Sequence, residues 1–287
     1  MKTLVEKWTY SPEISFSIKE YTFGSKEALS DEVLMRMHDE YEITLLLGCR
    51  GKRFVGNTIE NFSGSDLFFI GPHVPHAIQL DKGQVGRGIT IHFLRDAFGN
   101  GFFDIPESKD IDKLLQNSKL GIAYLSTQAI CFYESINALI ELKSFDRMIA
   151  FFQLLQKIAT VGDGRVLSSR GFTPLVNQKD YEIVNKTYKY IMNRFENQPI
   201  TLNEISSHVN MSPATFCRYF KKHFHKTFTN FLNEVRVGHA CKLLQETNKN
   251  IAEIGFASGY NQLSHFNRQF KEIVGYSPKE YRLALNG

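Results

Sequence analysis

No apolar run in this chain approaches the ~18 residues that a membrane-spanning helix needs, so no helical membrane protein is expected. Residues 1–14 mix Lys2, Glu6, Lys7 and Glu13 with apolar side chains. They hold no continuous hydrophobic segment, which argues against a secretory leader. Cysteines are few: Cys49, Cys131, Cys217 and Cys241. They form no CxxC pair and no short disulfide framework, so reduced thiols in a cytoplasm are the expectation. Neither sign of charge is in large excess, the net being +4 over 287 residues. With 22% charged and 43% hydrophobic residues, the composition excludes a disordered chain. The length accommodates two ordinary domains at the usual ~100–200 residues each.

The small net charge hides an asymmetry. From Gln178 onward there are 15 Lys and Arg against 9 Asp and Glu, a net of +6; the rest has 19 against 21, a net of −2. A basic C-terminal part beside a slightly acidic N-terminal part points to a polyanionic partner for the former, although a solvated basic face would read the same way.

Residues from about 12 to 95 read as short strands. Ile14, Phe16 and Ile18 alternate with Ser15, Ser17 and Lys19, the period of a half-buried strand. Apolar runs follow at 43–47, 54–55, 67–70 and 89–93, separated by turn signals at Gly48, Gly51, Gly56-Asn57, Gly64-Ser65-Asp66, Gly71-Pro72 and Asp81-Lys82-Gly83. Such spacing predicts a small antiparallel barrel or sandwich. After Pro106 the period changes, and helices are expected near 107–117, 126–142 and 145–160. Residues 161–177, with Gly162, Gly164, Ser168, Ser169, Gly171 and Pro174, lack periodicity and read as a linker. Beyond about 178 the pattern is helical. The expected organisation is therefore 1–160, a linker at 161–177, and 178–287.

A repeat carries the strongest functional signal. Phe216-Cys217-Arg218-Tyr219-Phe220-Lys221 is matched 50 residues later by Phe266-Asn267-Arg268-Gln269-Phe270-Lys271. Upstream, Leu202-Asn203-Glu204-Ile205 is matched by Ile251-Ala252-Glu253-Ile254. Each pair predicts a short helix, a turn and a second helix. The turns carry Asn210 and Gly259, the residue types most tolerant of a left-handed backbone. Phe216/Phe220 and Phe266/Phe270 are i,i+4 pairs that must face a core. The opposite faces hold Ala214, Thr215, Cys217, Arg218 and Lys221 in one copy, and Leu263, Ser264, Asn267, Arg268 and Lys271 in the other. Arg can pair with guanine edges or phosphate, Asn with adenine, and a methyl group can meet thymine. A solvated face is the bland alternative for one copy; two matching copies favour DNA. Between them, 228–246 predicts a helix of about 30 Å, close to the ~34 Å between successive major grooves on one DNA face.

Residues 199–282 resemble the DNA-binding domain of the AraC family, most densely in Ile254, Gly259-Tyr260, Phe266 to Lys271, Gly275-Tyr276-Ser277-Pro278 and Tyr281-Arg282. The resemblance implies seven helices, two recognition helices in adjacent major grooves of one half-site, and control of transcription initiation with RNA polymerase as a further partner. His225 departs from the pattern, standing where the second copy has Gly275. A strained or rearranged helix end is expected there.

The strand-rich part resembles the cupin-type sensor barrel found in that family. The expected fold class is α+β: a cupin-like antiparallel β-barrel followed by helices, then an all-α double helix-turn-helix. A first cupin motif would read Arg36, His38, Glu42, with Arg36 in place of a ligand histidine; a second keeps His76, and His92 lies on a later strand. Three readings stay open. His38, Glu42 and His76 could hold Zn, Fe or Mn, which Arg36 disfavours. The same groups with Arg36 and His92 could bind an organic effector such as a sugar or carboxylate. Or the barrel is empty and its histidines satisfied. Residues 145–160 could pack on the barrel or on a second subunit, and the resemblance favours a homodimer contact there. The expectation is a non-enzymatic, effector-responsive regulator of double-stranded DNA, without cofactor or membrane. The rivals are a metal-dependent cupin enzyme with a DNA-binding appendage and a sequence-indifferent architectural binder.

Overall fold

The computed structural model describes residues 14–23, 35–81, 83–124, 126–162, 164–169, 171–175, 177–196 and 199–286. The leader reading of 1–14 falls, but for Ile14, outside the described residues, as does Lys82 of one turn signal. The chain divides into two compact units, residues 1–58 with 62–176, and residues 177–287 with 59–61.

The first unit contains strands β1 (Phe16–Phe23), β2 (Tyr41–Val55), β3 (Thr58–Ile70), β4 (His76–Leu80) and β5 (Gly86–Phe93). Helix α1 (Lys109–Asn117), strand β6 (Ile122–Tyr124), helices α2 (Ser126–Cys131), α3 (Tyr133–Glu141) and α4 (Ser144–Thr160), and strand β7 (Arg165–Val166) follow. The sheet order is β1-β5-β2-β3-β6-β7, with β4 also paired to β2. This corrects the expected cupin-like barrel. The sheet is open, running from β1 to β7 without returning on itself, and its far side thins to strands of three and two residues. Alternation along a strand fixes which face is apolar but not whether the last strand reaches the first.

Helices cover the apolar face instead. Ile43, Leu45, Ile89 and Ile91 alternate with polar residues on β2 and β5 and pack with Leu114 and Leu115 of α1, Ile136 and Leu139 of α3, and Phe151, Leu154, Leu155 and Ile158 of α4. Phe151 stacks on Phe16 with ring centroids 4.3 Å apart. The helix expected over 126–142 is two, interrupted at Phe132, whose N–H bonds back only three residues, to Ala129 O at 3.2 Å. The stretch read as a linker gives this unit β7 and the buried side chains of Leu167, Phe172 and Leu175.

The second unit holds seven helices among its described residues: α5 (Gln178–Met192), α6 (Leu202–His208), α7 (Pro213–Phe224), α8 (Phe228–Glu246), α9 (Ile251–Ala257), α10 (Leu263–Val274) and α11 (Pro278–Asn286). Helix α8 is buried on different sides along its length. Near its start, Phe228 and Phe231 meet Phe220 edge-on at 5.6 Å; further on, Val237, Ala240 and Leu244 pack with Ile254, Phe266 and Phe270. One helix thus serves two small cores. No helix among the described residues is long and apolar enough to cross a membrane.

Candidate nucleic-acid interface and a buried histidine cluster

The two helix-turn-helix units share their first helix and turn, and differ where the second helix starts: Ser212 accepts from the Thr215 N–H at 3.3 Å on α7, while Gln262 makes no side-chain cap on α10. Helix α6 begins in a capping box between Thr201 and Glu204, and α9 in one between Asn250 and Glu253. Each satisfies two N-terminal N–H groups that a bare helix end leaves orphaned. In the first turn Asn210 has φ 57°, and the Met211 N–H bonds to Ser206 O at 2.9 Å. In the second Gly259 has φ 84°, and the Tyr260 N–H bonds to Gly255 O at 3.1 Å. A Cβ on Gly259 would stand 2.0 Å from the Phe195 carbonyl oxygen, so this turn needs glycine for space as well as for backbone sign.

The second helices, α7 and α10, each bury their phenylalanine pair: Phe216, Phe220, Phe266 and Phe270 are at most 1% exposed. All ten residues placed on the DNA-facing side by sequence are exposed: Ala214, Thr215, Cys217, Arg218 and Lys221 on α7, and Leu263, Ser264, Asn267, Arg268 and Lys271 on α10. The helix ends also match. His225 has φ 53° and donates to Lys221 O at 3.0 Å, while Gly275 has φ 88° and donates to Lys271 O at 2.9 Å. Of the strained or rearranged end expected at His225, the strained form is found: the residue adopts the left-handed conformation that Gly275 takes in the second unit.

In the first unit, the polar side of β2 and β5 carries a second constellation. Glu42 lies directly across the strand pair from His92, and Thr44 across from Thr90. The Nε2 atoms of His38, His76 and His92 stand 3.0, 3.1 and 3.1 Å from one oxygen of Glu42, Oε2. The Thr44 hydroxyl donates to the other oxygen, Oε1, at 2.6 Å. Thr44 in turn meets Thr90 at 2.8 Å, and Thr90 meets Tyr21 at 3.0 Å. Glu42 and the three histidines are buried. Burial alone would raise the Glu42 pKa, but the charge of His76 and the bonds to His38, His76 and His92 hold it well below the usual carboxylate range. Burial would lower that of His38, but Glu42 and Glu40 raise it. Burial pushes the Tyr21 hydroxyl up to about 12.

Four of the five residues singled out by sequence in this unit therefore meet. Arg36 joins them through its main chain: its N–H donates to His76 O at 2.7 Å, and its carbonyl accepts from the His76 N–H at 3.0 Å. Sequence reading missed Thr44, Thr90 and Tyr21. The signal was present for two of them, since Thr44 lies two residues from Glu42 and Thr90 two from His92, on the same strand faces. As metal donors, His38, Glu42 and His92 offer one atom each, all within 4.8 Å of one another.

Residues 205–284 match the family described as a helix-turn-helix domain. The chain is similar to the HTH-type transcriptional regulator ArgR of Pseudomonas aeruginosa, 31% identical over 90 residues, which is 31% of this chain and 27% of that protein. It is similar to the melibiose operon regulatory protein of Escherichia coli K12, 29% identical over 85 residues, 30% of this chain and 28% of that protein. Among solved structures it matches the C-terminal domain of AraT, a response regulator from Geobacillus stearothermophilus. That match has 31% identity and a TM-score of 0.34, and covers 36% of this chain and 84% of that one. The matches to ArgR and the melibiose regulator thus span under a third of either protein. Both are named as regulators rather than enzymes. Residues 205–284 form a helix-turn-helix domain, and nothing in these relatives speaks for a cupin barrel in the first unit.

Proposed function

We propose that the chain is a sequence-specific DNA-binding regulator of transcription, and not an enzyme, with α7 and α10 entering adjacent major grooves. One observation carries this reading. Two helix-turn-helix units, each opened by a capping box, bury a phenylalanine pair apiece and turn a row with one arginine and one lysine outward. The similarity to two named transcriptional regulators supports it. So does the net charge of +6 from Gln178 onward, since phosphate neutralisation supplies most non-specific affinity. In this reading residues 178–287 bind DNA in the AraC manner and bring RNA polymerase to the promoter. Residues 1–160 sense a small ligand and dimerise, and 161–177 transmit the response. A second subunit adds the other half-site without new base contacts. The outer side of α4, where Phe145 and Ile149 are exposed, is the proposed dimer contact. Selecting binding sites for the full chain from a random DNA pool tests the proposal. The expected product is a recurrent motif of two recognition segments about 10 base pairs apart, centre to centre. Recovery of unrelated sequences would favour an architectural binder.

A further inference from the structure

We propose that Asn233 and Gln269 are positioning residues: their amide pair fixes the seat of α10 on α8, and with it the spacing between the two DNA segments that α7 and α10 accept. The inference rests on the DNA-binding reading above and deepens it, but the seat itself can be measured without DNA.

The repeat points to the position. The stretches 216–221 and 266–271 agree at their first, third, fifth and sixth residues and differ at the second and fourth. The second residues, Cys217 and Asn267, are exposed on the proposed DNA side. The fourth, Tyr219 and Gln269, are half-buried, and each reaches a helix outside its own helix-turn-helix unit. The Tyr219 hydroxyl donates to Asp180 O on α5 at 3.1 Å, and Gln269 Oε1 accepts from Asn233 Nδ2 on α8 at 2.8 Å. Asn233 is only 4% exposed, and lies between the Phe228 and Phe231 end of α8 and its Val237, Ala240 and Leu244 end. A buried amide costs free energy unless it is paired, so α10 is favoured where Gln269 meets it. The pairing has a direction as well. Gln269 Nε2 donates to Glu272 Oε2 at 3.0 Å. A carboxylate only accepts, so the oxygen is the end of the Gln269 amide left for Asn233.

Apolar packing does not supply this direction. Helix α7 meets α8 through rings in fixed edge-on contact, Phe220 against Phe228 and Phe231. Helix α10 meets α8 through Phe266 and Phe270 on the small side chains of Val237 and Ala240 and on Leu244, and hydrophobic burial is non-directional. In coiled coils one buried Asn fixes the register between helices at some cost in stability. Asn233 stands where it does the same between α8 and α10. Because α7 is seated near the start of the same helix, fixing α10 on α8 also fixes it relative to α7. The DNA sets how much slack matters. One inserted base pair moves the second segment by about 3.4 Å along the axis and about 35° around it. A loosely seated α10 follows that step, and a latched one does not.

The test uses the full chain and the double variant Asn233→Leu, Gln269→Met. Removing both amides together leaves neither unpaired, so the variant should keep its fold and melting temperature. For the distance measurement, Cys131→Ser and Cys241→Ser are added, Cys49 being buried. Spin labels then go on the native Cys217 of α7 and on Ser264→Cys of α10, both exposed positions. Double electron–electron resonance without DNA should give one narrow distance in the parent, which broadens or shifts in the double variant. The unlabelled chains are next titrated on the selected site and on the same site with one base pair inserted between its recognition segments. The wild type should lose about 10-fold or more on insertion, and the double variant less than about 3-fold. An unchanged narrow distance in the double variant, or a full insertion penalty in it, would overturn the proposal. If no site is selected, the DNA-binding reading fails, while the distance measurement still decides whether the amide pair seats α10.

Discussion

His225 shows what a single residue concedes to its position. It holds a left-handed backbone, φ 53°, at a helix end where the second unit uses Gly275. That conformation costs a residue with a Cβ roughly 1–2 kcal/mol. His225→Gly is therefore expected to raise unfolding stability by about 1 kcal/mol, part of the gain being offset by the added freedom of the unfolded chain. A shift of the urea midpoint to higher concentration would check this; a shift to lower concentration would mean that the imidazole makes a contact worth more than the strain. The departure from the repeat was legible in the sequence, but its outcome was not. Nothing in one residue's identity says whether a helix end will bend or the residue will bear the strain. The histidine cluster divides in the same way. His38, Glu42, His76 and His92 were legible as polar residues among apolar strands. Their convergence on one carboxylate oxygen depends on which strands pair, and that is set by register.

Among the elements, the helices were the most legible, because the repeat and its capping residues specify them locally. Helix α8 was expected over its observed span, yet its division between two cores appears only when α7 and α10 are placed on it. Phe270 belongs to the second of these cores, fully buried beside Phe266 and Tyr281. Phe270→Ala should destabilise the second unit by about 3–5 kcal/mol, read by thermal unfolding, and normal stability would contradict the core assignment. Gly259→Ala should cost about 2 kcal/mol or more, since the new methyl meets the Phe195 carbonyl oxygen in a backbone region disfavoured for alanine. The strands were legible in place but not in closure. Ile43 and Leu45 could have faced a barrel lumen as well as a helical layer. That the layer formed by α1, α3 and α4 covers them is decided by elements more than sixty residues away.

For the whole molecule, two units with separate cores divide the labour proposed above, and dimerisation is what would join two half-sites. The full chain is expected to sediment as a dimer at micromolar concentration. Phe145→Asp, which changes an exposed position on α4, should shift it toward monomer with little change in melting temperature. A wild-type chain that is monomeric under those conditions would remove the dimer from the account. The central claim, that the exposed rows of α7 and α10 read DNA, is tested most directly by titrating the full chain and its Arg268→Ala variant on the selected site and on random DNA. The account predicts that the variant loses about 1–3 kcal/mol, roughly 5–150-fold, on the selected site and keeps its circular dichroism spectrum and non-specific binding nearly intact. Wild-type affinity of the variant for the selected site would contradict it.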